Sequence, residues 1–308
     1  MTSYTASKEL NHVIQVIAKA SVEIERYVRY QAIHALDQNA AQQYSNNSSG
    51  DEQQKLDIVC HNVLTLHLIQ SKACNVLLSE EAEKAILVPK ESQGPYLVTY
   101  DPLDGSSNID CNGPVGTIVG IFENKERTML PQANQMVAAL YVLYGPATEL
   151  IIAVDQKVSR YVMDSNRMYV LIGQLSLKGK SKKVYSINEG NTANWDTDIK
   201  QWIDAYKQAN YSARYIGSMV GDVHRTLLYG GSFCYPADKK NKAGKLRLLY
   251  EAWPMAMIME TAGGRAIVGN RSSQRILDVP STTLHQRTPI LLGSAEEVAR
   301  YDTIRSKL

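Results

Sequence analysis

Two short apolar runs in the first third of the chain, residues 75–78 and 96–100, are each followed by acidic residues. Short apolar runs bounded by polar residues are typical of buried β-strands. The carboxylates that follow them are Glu80 and Glu81 after the first run, and Asp101 and Asp104 after the second. In open α/β sheets, ligands bind at the carboxyl ends of the strands. The pattern therefore predicts an α/β fold with four carboxylates gathered at one sheet edge.

Two helical patterns flank a polar segment ahead of these runs. Apolar residues recur at helical spacing from about Ser7 to Ala35 and again from Leu56 to Ile69, which predicts two helices. Residues 37–54 between them are polar and repetitive, a composition that predicts a mobile loop. Asp51 and Asp57 fall where this loop meets the second helix, a position where acidic residues also complement the helix dipole.

The rest of the chain continues as a mixture of helix and strand signals. Residues 136–144 predict a helix that ends at Gly145 and Pro146. Consecutive strands are predicted at residues 148–154, 159–164 and 169–173. A segment rich in Lys, Gly and Ser, residues 175–183, predicts a boundary between two α/β domains, 1–176 and 177–308. Pro254 and Gly263 mark the start and the end of a later helix.

Composition limits the classes of function. The chain has 308 residues, and its 33 basic and 31 acidic residues nearly cancel, so it lacks the positive excess expected of a nucleic-acid-binding protein. The single cysteines, Cys60, Cys74, Cys111 and Cys234, form no close pair of the kind that binds zinc. None of the six histidines pairs at metal-ligand spacing, so we expect them all to be structural. With no apolar run of signal-peptide or membrane-spanning type, we expect a cytosolic protein.

The run DPLDGSSNID, residues 101–110, is the most informative motif. Asp101 and Asp104 can direct oxygen ligands at one hard cation, and Gly105 allows the backbone to approach an anion closely. The amides of Ser106 and Ser107 could then hold a phosphate. Such a motif alone is often only a turn, but four carboxylates at two strand ends would repel one another unless cations lay between them. Oxygen ligands of this kind favour magnesium or manganese over zinc.

Longer stretches make a family resemblance specific. The run DPLDGSSNID followed by GTIVGIF resembles the metal-binding signature of the fructose-1,6-bisphosphatase family, class I. YIGSMVGDVHRTLLYGG (215–231) and GKLRLLYEAWPMAMIMETAGG (244–264) resemble further segments of that family. The similarity covers nearly the whole chain from about Gly50 onward. The wider sugar-phosphatase superfamily, including inositol monophosphatases, shares only the short Asp-Pro-x-Asp-Gly core.

The resemblance implies an architecture and a reaction. The fold would be a layered α/β/α/β/α sandwich with mixed sheets. The activity would be hydrolysis of the 1-phosphate of fructose 1,6-bisphosphate to fructose 6-phosphate and phosphate by metal-activated water, a step of gluconeogenesis. The cofactors would be Mg²⁺ or Mn²⁺, two or more per subunit, in a cytoplasmic homotetramer.

The resemblance also implies a role for individual positions of this sequence. The implied metal ligands are Glu80, Glu81, Asp101, Asp104, Glu251 and the carbonyl of Leu103. Asp51 and Asp57 match the family's dynamic loop, Asp57 and Glu81 would orient or deprotonate the attacking water, and Arg247 lies near the loop aspartate. The grip on the sugar's remote phosphate would consist of Asn188, Tyr215, Tyr235 and Lys245, with Arg214 reaching in from a neighbouring subunit.

The sequence departs from the family at several positions. Asn191 stands where members usually carry a tyrosine that contacts the remote phosphate. At the AMP site of animal members, Pro95 precedes Tyr96 where a lysine is usual, and Glu123 replaces an arginine. Because a glutamate repels a nucleotide phosphate, we expect this chain to be insensitive to AMP at that site. The chain also lacks the cysteine-bearing insertion of chloroplast members.

Three alternatives remain open at this stage. A sedoheptulose-1,7-bisphosphatase, or an enzyme acting on both sugars, could use the same metal site. An inositol-phosphate or other monophosphate phosphatase would have no use for the remote-phosphate residues Lys245, Tyr235 and Arg214. A non-catalytic phosphosugar-binding scaffold would have no reason to keep five mutually repelling carboxylates.

Overall fold

The computed structural model describes residues 7–34 and 52–307, so Asp51 lies outside the described residues. The helices are α1 (Lys8–His34), α2 (Glu52–Gln70), α3 (Thr197–Gln208), α4 (Met219–Tyr229), α5 (Trp253–Thr261) and α6 (Ala295–Arg305). The first half of the chain contributes β1 (Cys74–Ser79), β2 (Ile86–Leu87), β3 (Tyr96–Asp104), β4 (Val115–Glu123), β5 (Met136–Tyr144), β6 (Thr148–Val154), β7 (Lys157–Met163) and β8 (Tyr169–Leu175). The second half contributes β9 (Val184–Ser186), β10 (Ser212–Ala213), β11 (Ser232–Tyr235), β12 (Leu246–Arg247), β13 (Gly264–Gly269), β14 (Ser272–Arg275), β15 (Arg287–Thr288) and β16 (Ile290–Ser294).

Two large sheets alternate with three layers of helices. The first sheet has the strand order β2-β1-β3-β4-β5-β6-β7-β8, and the second has β10-β9-β11-β16-β13-β14. One apolar core packs α1 and α2 on the outer face of the first sheet, a second packs α4 and α5 between the sheets, and a third packs α3 and α6 on the second sheet. The architecture is the expected α/β/α/β/α sandwich, and both sheets mix parallel and antiparallel pairs.

The helix predicted at residues 136–144 is wrong, because this segment is the central strand β5. It pairs antiparallel with β4 and β6, and seven of its nine residues are buried. The apolar run has almost no polar gaps, and a strand covered on both faces needs no alternation. Gly145 and Pro146 belong to the turn into β6 rather than to a helix end.

The other element predictions agree with the structure. The first two helices are α1 and α2, and the three consecutive strands are β6, β7 and β8. The predicted mobile loop, residues 37–54, lies mostly outside the described residues, although α2 already begins at Glu52. No helix within the described ranges is both long and apolar enough to cross a membrane.

Strands β1 and β3 are parallel neighbours, and this pairing positions the candidate site. Their carboxyl ends therefore meet at one edge of the first sheet. On the far side of the edge, a π-helical turn at Leu248–Ala252 leads into α5, which has Pro254 in its first turn. A π-turn is a frequent feature of functional sites because it redirects side chains that a regular helix would stack. Here it brings Glu251 towards the strand ends.

Candidate active site

An acidic cavity of about 250 Å³ lies where β1 and β3 end. Thirteen of the residues singled out from the sequence line it: Asp57, Glu80, Glu81, Asp101, Leu103, Asp104, Gly105, Ser106, Ser107, Tyr215, Tyr235, Lys245 and Glu251. Helix α2, both strand ends, the loop before α4, strand β11 and the π-turn all contribute. The chain therefore brings residues almost 200 positions apart into one space.

Three buried carboxylates form the floor of this cavity. One oxygen each from Asp101, Asp104 and Glu251 lies within 4.8 Å of the others. Backbone amides hold two of these carboxylates, since the amide of Leu103 donates to Asp101 Oδ1 at 2.9 Å. The amide of Val220 likewise donates to Asp104 Oδ2 at 2.8 Å. These bonds help to fix the orientation of the Asp101 and Asp104 carboxylates.

Gly105 follows this cluster in a left-handed conformation, with φ of +77°. A Cβ at this position would lie 2.8 Å from Ser218 Cβ and Oγ, so the turn excludes any side chain. Ser106 and Ser107 then begin a short 3₁₀ turn along the cavity wall. The turn therefore packs closely against the start of α4.

Burial without a cation raises the pKa of each floor carboxylate. The pKa of Asp101 and of Glu251 is well above its ordinary value, mainly because of burial and then because of Glu80. Burial also raises the pKa of Asp104, to about 6, against the opposing hydrogen bond from the Val220 amide. The residues fit a hard divalent cation, since carboxylate oxygens converge there and their mutual repulsion is what such a cation would relieve.

Asp57 and Glu81 form a second carboxylate pair at the mouth of the cavity. Burial, followed by the charge of Glu81, raises the pKa of Asp57 to about 7. Burial and Glu80 likewise raise the pKa of Glu81. Asp57 Oδ1 is buried and accepts no hydrogen bond from the described residues. A carboxylate with a pKa near neutrality and a free oxygen is suited to take a proton from water.

Another part of the cavity lining is aromatic and cationic. Lys245 is the sole cation among the described residues that line the cavity, and its Nζ lies 5.9 Å from the centre of the Tyr235 ring. Burial raises the pKa of Tyr215 to about 12, and a hydrogen bond with Asn188 opposes the rise. A lysine and two tyrosine hydroxyls form a suitable grip for a second phosphate.

Four predicted site residues do not line this cavity. Asn188 lies in a small adjoining pocket of about 10 Å³ that it shares with Asn191 and Tyr235. Arg214 is exposed, and its guanidinium donates to the neighbouring carbonyl of Ala213 at 2.9 Å. The Arg247 amide donates to Glu251, while its guanidinium donates to the carbonyl of Lys245 at 3.2 Å. Asp51 is the fourth, outside the described residues.

The loop and helix start at residues 216–222 form part of the site that the sequence did not reveal. Ser218 caps α4 and donates to Asp104 at 3.3 Å. Asp222 is fully buried and accepts from the amides of Ile216 and Gly217, which fixes the loop that carries Tyr215. A serine ahead of an apolar helical pattern signals a cap. Nothing in the sequence alone indicated that this cap contacts Asp104 in the DPLDGSSNID motif.

Comparison with known proteins agrees with this geometry. The model of the fructose-1,6-bisphosphatase N-terminal domain matches residues 1–173, and that of the C-terminal domain matches residues 179–306. Fructose-1,6-bisphosphatase 1 from Rattus norvegicus is 45% identical over 275 residues, which cover 85% of this chain and 75% of the relative. A cytosolic fructose-1,6-bisphosphatase from Oryza sativa subsp. indica is 44% identical over 264 residues, covering 82% and 77%.

A solved structure shows the same fold. The holo form of Leishmania major fructose-1,6-bisphosphatase superposes with a TM-score of 0.86 at 39% identity, covering 97% of this chain and 95% of that one. Domain models that together span nearly the whole chain and relatives above 40% identity carry the assignment. The chain belongs to the fructose-1,6-bisphosphatase family.

Proposed function

We propose that this chain hydrolyses the 1-phosphate of fructose 1,6-bisphosphate, giving fructose 6-phosphate and phosphate. One observation carries the proposal: a single cavity is lined both by a converging carboxylate cluster and by Lys245 with two tyrosines. A bisphosphate has one phosphate for the carboxylate-held cations and a second for Lys245 and the tyrosines. A sugar monophosphate would leave one of these two groups of residues unused.

Magnesium or manganese ions, two or more per subunit, are the cofactors that this donor set fits. Glu80, Glu81, Asp101, Asp104, Glu251 and the Leu103 carbonyl would hold them. When bound, these ions would supply positive charge over the transferring phosphoryl oxygens and acidify the attacking water.

The side chains around the cluster would position the reactants. Asp57 and Glu81 hold the attacking water, and an Asp57 carboxylate oxygen takes its proton, for which a pKa of about 7 is suited. The turn at Gly105–Ser107 offers backbone amides to the oxygens of the 1-phosphate. Lys245, Tyr215 and Tyr235 would bind the 6-phosphate, with Asn188 beside Tyr215. Asp51, which lies outside the described residues, and Arg247 would assist at the same site.

The proposal extends to assembly. Arg214 is exposed and does not line the cavity of its own chain, which suits a residue that completes the site of a neighbouring subunit in a homotetramer. Strand β8 supports association, because Val170, Leu171 and Ile172 on this sheet edge are 48%, 42% and 51% exposed.

We also propose a domain division near residue 176, since the eight-stranded sheet ends at Leu175 and the six-stranded sheet begins at Val184. A cytoplasmic role in gluconeogenesis is consistent with the cytosolic relative from rice.

Phosphate release from fructose 1,6-bisphosphate, sedoheptulose 1,7-bisphosphate and an inositol monophosphate, each with and without Mg²⁺, tests the proposal. We expect magnesium-dependent turnover that is strongest on the fructose substrate and absent in Asp104→Ala. Lys245→Ala should raise KM for the bisphosphates far more than it lowers kcat, because it touches only the remote phosphate. Equal turnover of all three substrates would contradict the remote-phosphate assignment. No turnover at all would favour a phosphosugar-binding scaffold.

A further inference from the structure

Helix α2 carries a polar stripe towards the sheet. Asp57, His61 and Thr65 are spaced four residues apart, so they share one face of the helix. Asp57 lines the cavity, His61 Nδ1 lies 2.8 Å from Ser79 Oγ, and Thr65 Oγ1 lies 2.6 Å from the Tyr100 hydroxyl. Ser79 ends β1, and Tyr100 immediately precedes Asp101 in β3. The stripe therefore attaches the helix to both strands whose ends form the site.

The bond between His61 and Ser79 leads directly to Glu81. The Ser79 hydroxyl is fully buried and accepts the amide hydrogen of Glu81 at 3.2 Å. The same hydroxyl bonds to His61 Nδ1, and either group can be the donor, depending on the tautomer of the imidazole. Burial lowers the pKa of His61 and so favours the neutral ring. One short chain of hydrogen bonds thus joins the helix that carries Asp57 to the turn that carries Glu81.

Tyr100 supplies a second attachment beside the first. Its ring stacks on the imidazole of His61, with the ring centres 6.0 Å apart and an angle of 25° between the planes. Its hydroxyl bonds to Thr65 one turn further along α2. The ring and hydroxyl of one fully buried tyrosine therefore contact two successive positions of the stripe.

Asp57 lies near the start of its helix, so the hydrogen bonds of His61 and Thr65 to the strands affect where its carboxylate lies. Helix α2 begins at Glu52, so Asp57 lies in the second turn. The first turns of a helix lack part of their internal hydrogen bonding and open most easily. Side-chain anchors from the next turn, at His61 and Thr65, limit where the Asp57 carboxylate can lie.

We propose that His61 is a positioning residue for the hydrolytic reaction, fixing α2 against the end of β1 so that Asp57 faces Glu81. This assignment replaces the expectation that every histidine is merely structural. It rests on the proposed function, in which Asp57 takes the proton of the attacking water. Thr65, acting through Tyr100, shares the task.

The first test compares His61→Ala with a matched control on the same helix. His67 is also partly buried, but it faces Glu23 on α1, with its Nε2 3.0 Å from the Glu23 carboxylate. With Mg²⁺ and fructose 1,6-bisphosphate, we expect His61→Ala to lower kcat about 10- to 100-fold, the usual effect of a displaced catalytic group. KM should stay within about twofold because the remote-phosphate residues are untouched. His67→Ala should keep the wild-type kcat.

A conservative replacement, and a measurement that does not depend on enzyme activity, separate an effect on the position of Asp57 from an effect on folding. His61→Asn places an amide oxygen near the position of Nδ1, so it should restore most of the lost kcat. Amide hydrogen exchange of the metal-free protein should show faster exchange at Glu81 and in the first turns of α2 in His61→Ala, but not in His67→Ala. If His61→Ala does not fold, Ser79→Ala removes the same bond from the strand side and should show the same loss.

A double-mutant cycle decides whether His61 acts through Asp57. If it does, His61→Ala combined with Asp57→Asn should be no slower than Asp57→Asn alone. Additive losses of kcat in the double variant would overturn the inference. Equal losses of kcat in His61→Ala and His67→Ala would also overturn it, as would a His61→Asn protein as slow as His61→Ala. A slow Asp57→Asn protein beside a fully active His61→Ala protein would overturn it while leaving the proposed function intact. An Asp57→Asn protein with wild-type kcat would overturn both the assignment of Asp57 as the proton acceptor and this inference.

Discussion

At the scale of single residues, the site depends on charges that the fold holds close together. Asp101, Asp104 and Glu251 are buried with their oxygens within 4.8 Å of one another, an arrangement unfavourable unless it is compensated. Backbone amides from Leu103 and Val220 offset part of the cost. The rest is a standing electrostatic strain that a bound cation would relieve. Function at this scale is set by individual donors and acceptors.

Asn191 should limit the affinity for the remote phosphate. It lies with Asn188 and Tyr235 in the small pocket beside the cavity, where family members usually carry a tyrosine. Asn191→Tyr adds a hydroxyl that can reach that phosphate, so KM for fructose 1,6-bisphosphate should fall severalfold while kcat is unchanged. Steady-state kinetics measures both constants, with Asn134→Tyr, remote from this pocket, as the control. An unchanged or higher KM would contradict the prediction.

AMP should not inhibit through the position of Glu123. The Glu123 carboxylate forms an ion pair with Lys125 at 2.8 Å, and Glu123 lies opposite Tyr96 in the pairing of β3 with β4, so this position carries a carboxylate and its cation is already paired. A nucleotide phosphate would meet a carboxylate instead of a donor. An AMP titration at saturating Mg²⁺ checks this. Strong inhibition that disappears on changing Glu123 or Tyr96 would show the expectation to be wrong.

At the scale of elements, the termini of helices and strands build the site. The strand ends of β1 and β3 supply carboxylates, the second turn of α2 supplies Asp57, and the start of α4 supplies donors to Asp104. Unpaired amides at a helix start favour negative charge, so α4 stabilises the ionised carboxylate that a cation requires. The residues that line the cavity therefore lie mainly at the ends of elements.

Removing the cap of α4 should weaken both the helix and the site. Ser218 accepts from the Gly221 amide and donates to Asp104, so Ser218→Ala should lower the free energy of unfolding by about 1 kcal/mol. It should also raise the Mg²⁺ concentration needed for half-maximal activity. Urea denaturation and a Mg²⁺ titration measure the two effects. Thr303→Ala, which removes an exposed hydroxyl bonded to the Ala299 carbonyl, should change neither.

At the scale of the whole molecule, layering brings distant segments together. The core between the two sheets packs α4, α5 and the π-turn against the first sheet, and this packing places Glu251 and Val220 beside Asp104. The carboxylate cluster therefore spans both halves of the chain. Because of this charge, the free energy of unfolding of the whole protein should depend on pH and on bound metal ions.

The metal-free protein should lose stability as pH rises. Burial raises the pKa of Asp57 to about 7 and of Asp104 to about 6, whereas each would titrate near 3.8 when unfolded. The folded state therefore binds these protons more tightly, so the contribution of these two carboxylates to the free energy of unfolding falls as pH rises from about 4 to 7. Mg²⁺ binds the ionised form, so it should raise Tm more at pH 8 than at pH 5.

Thermal unfolding at both pH values, with Mg²⁺ or with a chelator, measures this coupling. In the Asp57→Asn, Asp104→Asn double variant, the decline in Tm between pH 5 and pH 8 should be smaller, because two of the groups that titrate are gone. A Mg²⁺-dependent rise in Tm that is equal at both pH values would contradict the prediction.

The sequence by itself determined the parts that depend on local pattern. Apolar periodicity located α1 and α2, short apolar runs located β1 and β3, and the spacing of Asp101 and Asp104 beside Gly105 indicated a cation site. Long motifs sufficed to indicate the family. Periodicity failed at β5, because a strand buried on both faces has no alternation to distinguish it from a buried helix.

Only the tertiary structure decided which residues meet. No local signal joins Ser218 or Val220 to Asp104, more than a hundred residues earlier, and none joins His61 on α2 to Ser79 at the end of β1. These contacts follow from how the layers pack, which depends on the whole apolar core at once. The sequence therefore determined which groups could perform the chemistry. The packing of the two sheets decided their distances, their pKa values and which donors hold them in place.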